Sequence, residues 1–233
     1  MIERRPFNGL GGADHGWLKA KHHFSFAGYY DPNRMGWGPI RVWNDDEIAA
    51  KSGFPPHPHN DMEIITYVRT GAITHQDNLG NQGRTAAGDV QVMSAGTGVR
   101  HAEFNLEDET TTIFQIWIEP KTRGVQPAWG ARPFPKDDRA GRFVALASGF
   151  DEDAETALAI NTPARVAGAT LKRGETTSYD LGAGRHAYLV PAKGAVEVNG
   201  VRLDARDGAA IKDELVLTVT ALEDAEVVLV DAA

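Results

Sequence analysis

The amino-acid sequence predicts an all-β protein built as two similar β-domains in tandem. Three observations carry that prediction. Short runs rich in Val, Ile and Thr recur along the chain, turn residues punctuate them, and one strand–glycine–hairpin–glycine pattern occurs twice. Residues 62–68, 90–93 and 111–118 read as strands of the first half. Residues 143–146, 196–198, 215–219 and 226–230 read as strands of the second. Between them stand Thr70-Gly71, the Asn78 to Asn81 turn, Ala87-Gly88-Asp89, Lys193-Gly194, Asn199-Gly200 and Asp207-Gly208. Short strands at this spacing indicate a sandwich or a barrel. The best helical candidate is the segment 151–159.

The repeat sets the domain organisation. In the first copy, residues 64–71 end on Gly71 and are followed by Gly80 and Gly88-Asp89-Val90. In the second, residues 188–194 end on Gly194 and are followed by Asn199-Gly200 and Asp207-Gly208. The segment 126–141, with Pro127, Pro133, Pro135 and mixed charges, reads as a connector. The expected domains are 1–130 and 131–233.

Composition excludes several functions. The 233 residues carry a formal charge of −8 and no long basic run, which argues against direct nucleic-acid binding. The mixed-sign cluster 136–139 reads as a solvated loop. There is no cysteine, so thiolate metal sites, disulfides and cysteine nucleophiles are all ruled out. No stretch approaches the roughly 20 apolar residues that span a bilayer, and the N-terminus lacks a signal-type apolar core. The expected location is the cytoplasm, with no membrane partner.

The chemistry lies in two short motifs, His57-Pro58-His59 and His101-Ala102-Glu103. Side chains at i and i+2 of a strand share a face. Two such strands side by side would aim three imidazoles and a carboxylate at one interior point, a donor set suited to a first-row transition metal and close to two-His-one-carboxylate iron sites. Spacing leaves the carboxylate open. Glu63 shares the parity of His57 and His59 along an uninterrupted strand, and Glu103 shares that of His101. The second copy offers Asp180, Gly182 and Ala221 at the matching distances, so only the first domain is expected to hold metal. His75 reads as a surface or packing residue. His15, His22 and His23 read as local packing groups, with the site entrance as the alternative for one of them, and His186 reads as structural. Phe24, Phe26, Tyr29, Tyr30, Trp37, Trp43 and Phe54 read as core or interface residues, some of which could wall a cavity over the metal. Residues 95–98 lack the Lys-Ser/Thr of a phosphate loop.

Longer motifs extend the pattern: His15-Gly16-Trp17-Leu18, Phe24-Ser25-Phe26, Tyr29-Tyr30-Asp31-Pro32, Asn44-Asp45-Asp46, His57-Pro58-His59 with Asp61-Met62-Glu63-Ile64, His75-Gln76-Asp77, Gly80-Asn81, Met93-Ser94-Ala95-Gly96-Thr97-Gly98 and His101-Ala102-Glu103. Over roughly residues 14–120 the chain resembles the pirin family, bicupins of the cupin superfamily. The resemblance implies two tandem double-stranded β-helix (jelly-roll) barrels, of which the second lacks metal ligands. It implies His57, His59, His101 and Glu103 as ligands, leaving Glu63 as a supporting residue, and Glu103 as catalytic base. The implied cofactor is one divalent transition metal, iron first, with copper, nickel, cobalt, manganese or zinc as alternatives. The implied activity is a quercetinase-type dioxygenase that opens a flavonol with O2 and releases carbon monoxide. The alternative is a metal-binding, non-catalytic regulator or redox sensor acting through protein partners.

Overall fold

The computed structural model describes all 233 residues. The chain folds as two compact units, each drawn from more than one segment. One comprises Gly11–Phe134 with Leu158–Thr162, and the other Met1–Leu10, Pro135–Ala157 and Pro163–Ala233. The expected all-β class holds: every regular element is a strand or a short 3-10 turn. The 151–159 helix does not form. Asp151–Asp153 makes one 3-10 turn and Leu158–Ala159 is extended. A helix as short as nine residues is marginal without an apolar face to bury, and residues 151–156 are almost wholly exposed.

The first strand of the chain, β1 (Ile2–Arg5), belongs to the second unit, where it pairs antiparallel with Gly208–Lys212. The first unit contains β2 (Gly11–Asp14), β3 (Leu18–His22), β4 (Ile40–Ile48), β5 (Ser52–His59), β6 (Glu63–Thr70) and β7 (Ala72–Asp77). It continues with β8 (Gln82–Ala86), β9 (Val90–Ser94), β10 (Val99–Asn105), β11 (Thr111–Ile118) and β12 (Ala128–Arg132). A seven-stranded sheet in the order β12-β9-β6-β11-β4-β3-β2 faces a four-stranded sheet ordered β5-β10-β7-β8. Strand β12 falls inside the segment read as a connector. It pairs with β9, with Trp129 opposite Met93.

The repeat predicted from glycine spacing is a repeat of topology. In the second unit His186–Lys193 lies between Gly208–Lys212 and Ala225–Ala232, as β6 lies between β9 and β11. The smaller sheet orders Thr176–Asp180, Val216–Ala221, Val196–Val198 and Val201–Leu203 in the same sequence as β5, β10, β7 and β8. The glycines at the repeat ends are required by backbone shape. Gly71 and Gly194 have φ of 74° and 70°, and a Cβ there would meet Thr111 Oγ1 at 2.3 Å and Asp224 O at 2.4 Å respectively.

The two interiors differ in chemistry. That of the second unit is mainly apolar, with Leu189, Val196, Ala209, Leu217, Val219, Ala221, Val227 and Leu229 buried together and Asp231 accepting from the Tyr179 hydroxyl at one side. Ala221, at the position matched to His101, is part of that core, while Asp180 is exposed. In the first unit an apolar cluster of Leu18, Ile48, Val68, Ile73 and Ile113 fills part of the interior. Thr66, His75, Gln91, His101, Glu103 and Gln115 are buried as well. Buried polar groups cost free energy unless they are hydrogen-bonded, so a cluster of this size in a core is a sign of function. No helix is long and apolar enough to cross a membrane.

Candidate metal centre

Strand β5 contains Pro55, Pro56 and Pro58 and is nevertheless a strand, because it lies at the edge of its sheet, where a missing N–H costs no ladder bond. It pairs with β10 so that His57 stands opposite His101 and His59 opposite Val99. Strand β10 follows the turn at Gly96 and Gly98, whose φ values are 45° and 132°. A Cβ on Gly96 would come within 2.0 Å of the Val125 carbonyl, so glycine is required for the turn that launches His101.

The three histidines meet as the i, i+2 spacing predicts. One ligating nitrogen from each of His57, His59 and His101 lies within 4.8 Å of the others. His57 Nε2 and His101 Nε2 are 3.0 Å apart, about the separation of two nitrogens bound at right angles to one ion at roughly 2.1 Å. The outer nitrogen of His57, Nδ1, donates to the Pro55 carbonyl at 2.8 Å, which leaves its Nε2 lone pair facing inward. Burial, followed by the neighbouring imidazoles His57 and His75, pushes the His101 pKa down to about 3. Burial, followed by His101 and His57, lowers that of His59 to about 4. Both rings are therefore neutral near pH 7, the form that ligates a metal. The donor set fits a divalent transition ion.

Glu103 is buried on the same strand as His101, one β-bulge further along. Its Oε1 accepts from Gln91 Nε2 at 2.7 Å and Thr66 Oγ1 at 3.2 Å, and its Oε2 accepts from Gln115 Nε2 at 2.7 Å. It lies outside the three-histidine group. Glu63 stands elsewhere: its oxygens accept from Ser94 Oγ at 2.5 Å and Asn161 Nδ2 at 3.4 Å. Burial raises the Glu63 pKa and these hydrogen bonds partly oppose the rise. The shared parity of Glu63 with the histidines rests on one uninterrupted strand. The chain instead turns at Asp61, whose φ is 45°, and β5 and β6 belong to different sheets.

His57 and His59 open onto a cavity of about 530 Å³ walled by Trp17, Leu18, Phe26, Phe54 and Trp117, with His15 and Gln115 also at its surface. Its size falls in the usual range for small-molecule sites, about 300–1,000 Å³. Trp117 meets His59 edge to face at 5.0 Å, and Phe26 packs on Trp117 at 5.5 Å. Phe26 and Phe54 were among the aromatic candidates; Trp17 and Trp117 were not. The glutamines were also missed, although a signal existed: Gln91 interrupts the apolar run at 90–93 and Gln115 the apolar run at 113–118. His75 is fully buried directly behind His101. Its partner Asp77 has a pKa below the usual carboxylate value: burial raises it, and hydrogen bonds from Asn81, His75 and Leu79 outweigh that effect.

Two tandem barrels of one topology, a histidine cluster in the first and an apolar core in the second, define a bicupin. Residues 3–118 match the pirin family model, and residues 146–232 match that of the quercetinase C-terminal cupin domain. A pirin-like protein of Caulobacter vibrioides is 76% identical over 233 residues, covering 100% of both chains. A quercetin 2,3-dioxygenase of Escherichia coli K12 is 41% identical over 232 residues, covering 99% of this chain and 98% of that protein. The crystal structure of the bacterial pirin YhhW from Escherichia coli in complex with nickel(II) superposes with a TM-score of 0.93 at 40% identity, covering 100% of this chain and 99% of that one. The chain belongs to the pirin family.

Proposed function

We propose that His57, His59, His101 and Glu103 hold one divalent transition metal, with iron as the resident ion, and that the protein is a cytoplasmic dioxygenase cleaving a flavonol with O2 and releasing carbon monoxide. The observation that carries this reading is the aromatic-walled cavity that reaches two of the three clustered histidines from solvent. A closed metal site would favour the regulatory role; an open one of this size favours a substrate. The relatives' names point the same way. When bound, such a metal supplies Lewis acidity towards a substrate oxygen and redox access to O2.

The chain's own residues have separate tasks. Trp17, Phe26, Phe54 and Trp117 offer flat apolar faces to a planar polyphenol and exclude water from it. Glu103 is the proposed fourth ligand and base. Of its two oxygens, Oε2 accepts from Gln115 alone and so retains a lone pair for a metal or a hydroxyl proton. Gln91, Thr66 and Gln115 orient that carboxylate from three directions.

The test is quercetin turnover under O2 by protein reconstituted with Fe(II), followed by loss of the flavonol absorbance and by release of carbon monoxide. The expected result is turnover that falls at least 100-fold in His57→Ala. Protein that binds the metal but leaves the flavonol unchanged would sink the dioxygenase reading.

A further inference from the structure

Behind His101 a line of hydrogen bonds runs away from the cavity. Asp77 is held by four donors: Oδ1 accepts from the backbone N–H groups of Leu79 at 2.9 Å and Asn81 at 3.0 Å, and Oδ2 accepts from Asn81 Nδ2 at 2.8 Å and His75 Nε2 at 3.1 Å. A carboxylate so arranged is an acceptor only, so the proton between it and His75 resides on His75 Nε2. In a neutral imidazole the other nitrogen then accepts. His75 Nδ1 faces His101 Nδ1 at 3.3 Å, so His101 donates there from Nδ1. Its Nε2 is left bare, 3.0 Å from the Nε2 of His57.

We propose that Asp77 and His75 form a positioning relay that fixes His101 as its Nδ1–H tautomer and thereby commits the Nε2 lone pair to the metal, an inference that rests on the metal-site reading above. Two further features support it. His75 is fully buried and is not among the residues that wall the aromatic cavity at His57 and His59. Its ring is stacked on Trp129 at 4.9 Å and 12°, and Gly83 makes room for that indole, since a Cβ there would meet the Trp129 ring at 2.3 Å. The relay is thus built into the packing of β7, β8 and β12. His57 reaches the same state by its own route, through the Pro55 carbonyl. Two bare nitrogens facing each other repel, and a shared cation satisfies both.

The proposal is tested on the full-length chain in two ways. Long-range 1H–15N spectra of the metal-free protein at pH 8 should show His101 protonated at Nδ1, the tautomer that free histidine disfavours; protonation at Nε2 would overturn the relay. Competition of nickel(II) against a chelator should show His75→Phe weakening affinity about 10- to 100-fold. That variant keeps an aromatic ring against Trp129 but removes the acceptor. His75→Asn, which can place a carbonyl oxygen near the lost Nδ1, should restore affinity to within a few-fold. Parent-like nickel affinity in His75→Phe would defeat the relay and leave the metal site standing, whereas a parent chain that takes up no nickel would defeat the site itself. Should His75→Phe fail to fold, the tautomer of the parent decides alone.

Discussion

At the scale of single residues, His59 and His101 combine removal from solvent with closeness to other imidazoles, and each of these disfavours protonation. The pKa of His101 is pushed to about 3 and that of His59 to about 4, from an ordinary 6.5. The folded value lies below the unfolded one, so as pH falls the unfolded chain takes up protons first. Stability of the metal-free protein is therefore complete above about pH 6.5 and is lost progressively as pH falls towards the folded values. By pH 5 the loss is on the order of 1–2 kcal/mol per histidine. Urea unfolding of the metal-free chain at pH 7.5 and 5 measures it, against a His59→Ala/His101→Ala variant that should show a shallower pH dependence. Equal slopes would mean that these imidazoles do not govern the acid response. The histidine pairs could be read from spacing because a strand's two-residue period is a local property. The environments of Glu63 and Glu103 could not, because Ser94 and Asn161 on one side and Gln91 and Gln115 on the other are distant in sequence.

At the scale of elements, the pairing of β5 with β10 holds the site together. The register shifts between His101 and Glu103, and Gly53 sits opposite Phe104 just beyond that bulge. A Cβ on Gly53 would lie 2.3 Å from the Glu103 carbonyl and 2.5 Å from Phe104 Cα, both backbone atoms with little freedom to move. Gly53→Ala should therefore push β5 away from β10, costing about 1–3 kcal/mol. The melting point should drop by roughly 3–10 °C, and nickel affinity should weaken with it. A variant with the parent's melting point and affinity would show that the strand pair is not the constraint. The Val- and Ile-rich strands at 62–68, 90–93 and 111–118 were visible in the sequence. Strand β5 was legible only through its histidines, since its three prolines hide a strand that survives by lying at an edge. The 151–159 helix failed because its exposed, acidic residues had no apolar stripe to bury.

At the scale of the whole molecule, two copies of one topology hold one interior with a buried cluster of polar side chains and one that is mainly apolar. Titration with nickel(II) should accordingly give one ion per chain, and none for His57→Ala. Nickel at 100 times its Kd should stabilise the fold by about 2.7 kcal/mol, raising the melting point by roughly 5–11 °C. Two ions per chain, or the same rise in His57→Ala, would contradict the assignment of the metal to the first barrel. The tandem repeat was visible from its glycines. The membership of β1 in the second unit was not, because its partner, Gly208–Lys212, lies about two hundred residues away and β1 itself is short and charged.

The sequence by itself determined the β class, the repeat, the placement of two histidines on one strand face with a third on another, and the family. These depend on local periodicity, on turns that only glycine can make, and on motifs carried intact along the chain. Only the tertiary structure decided which polar groups surround each carboxylate, which aromatics wall the cavity, and that His75 and Asp77 stand behind His101. These are meetings between strands, set by register and by the facing of two sheets, and no spacing along a single strand encodes them.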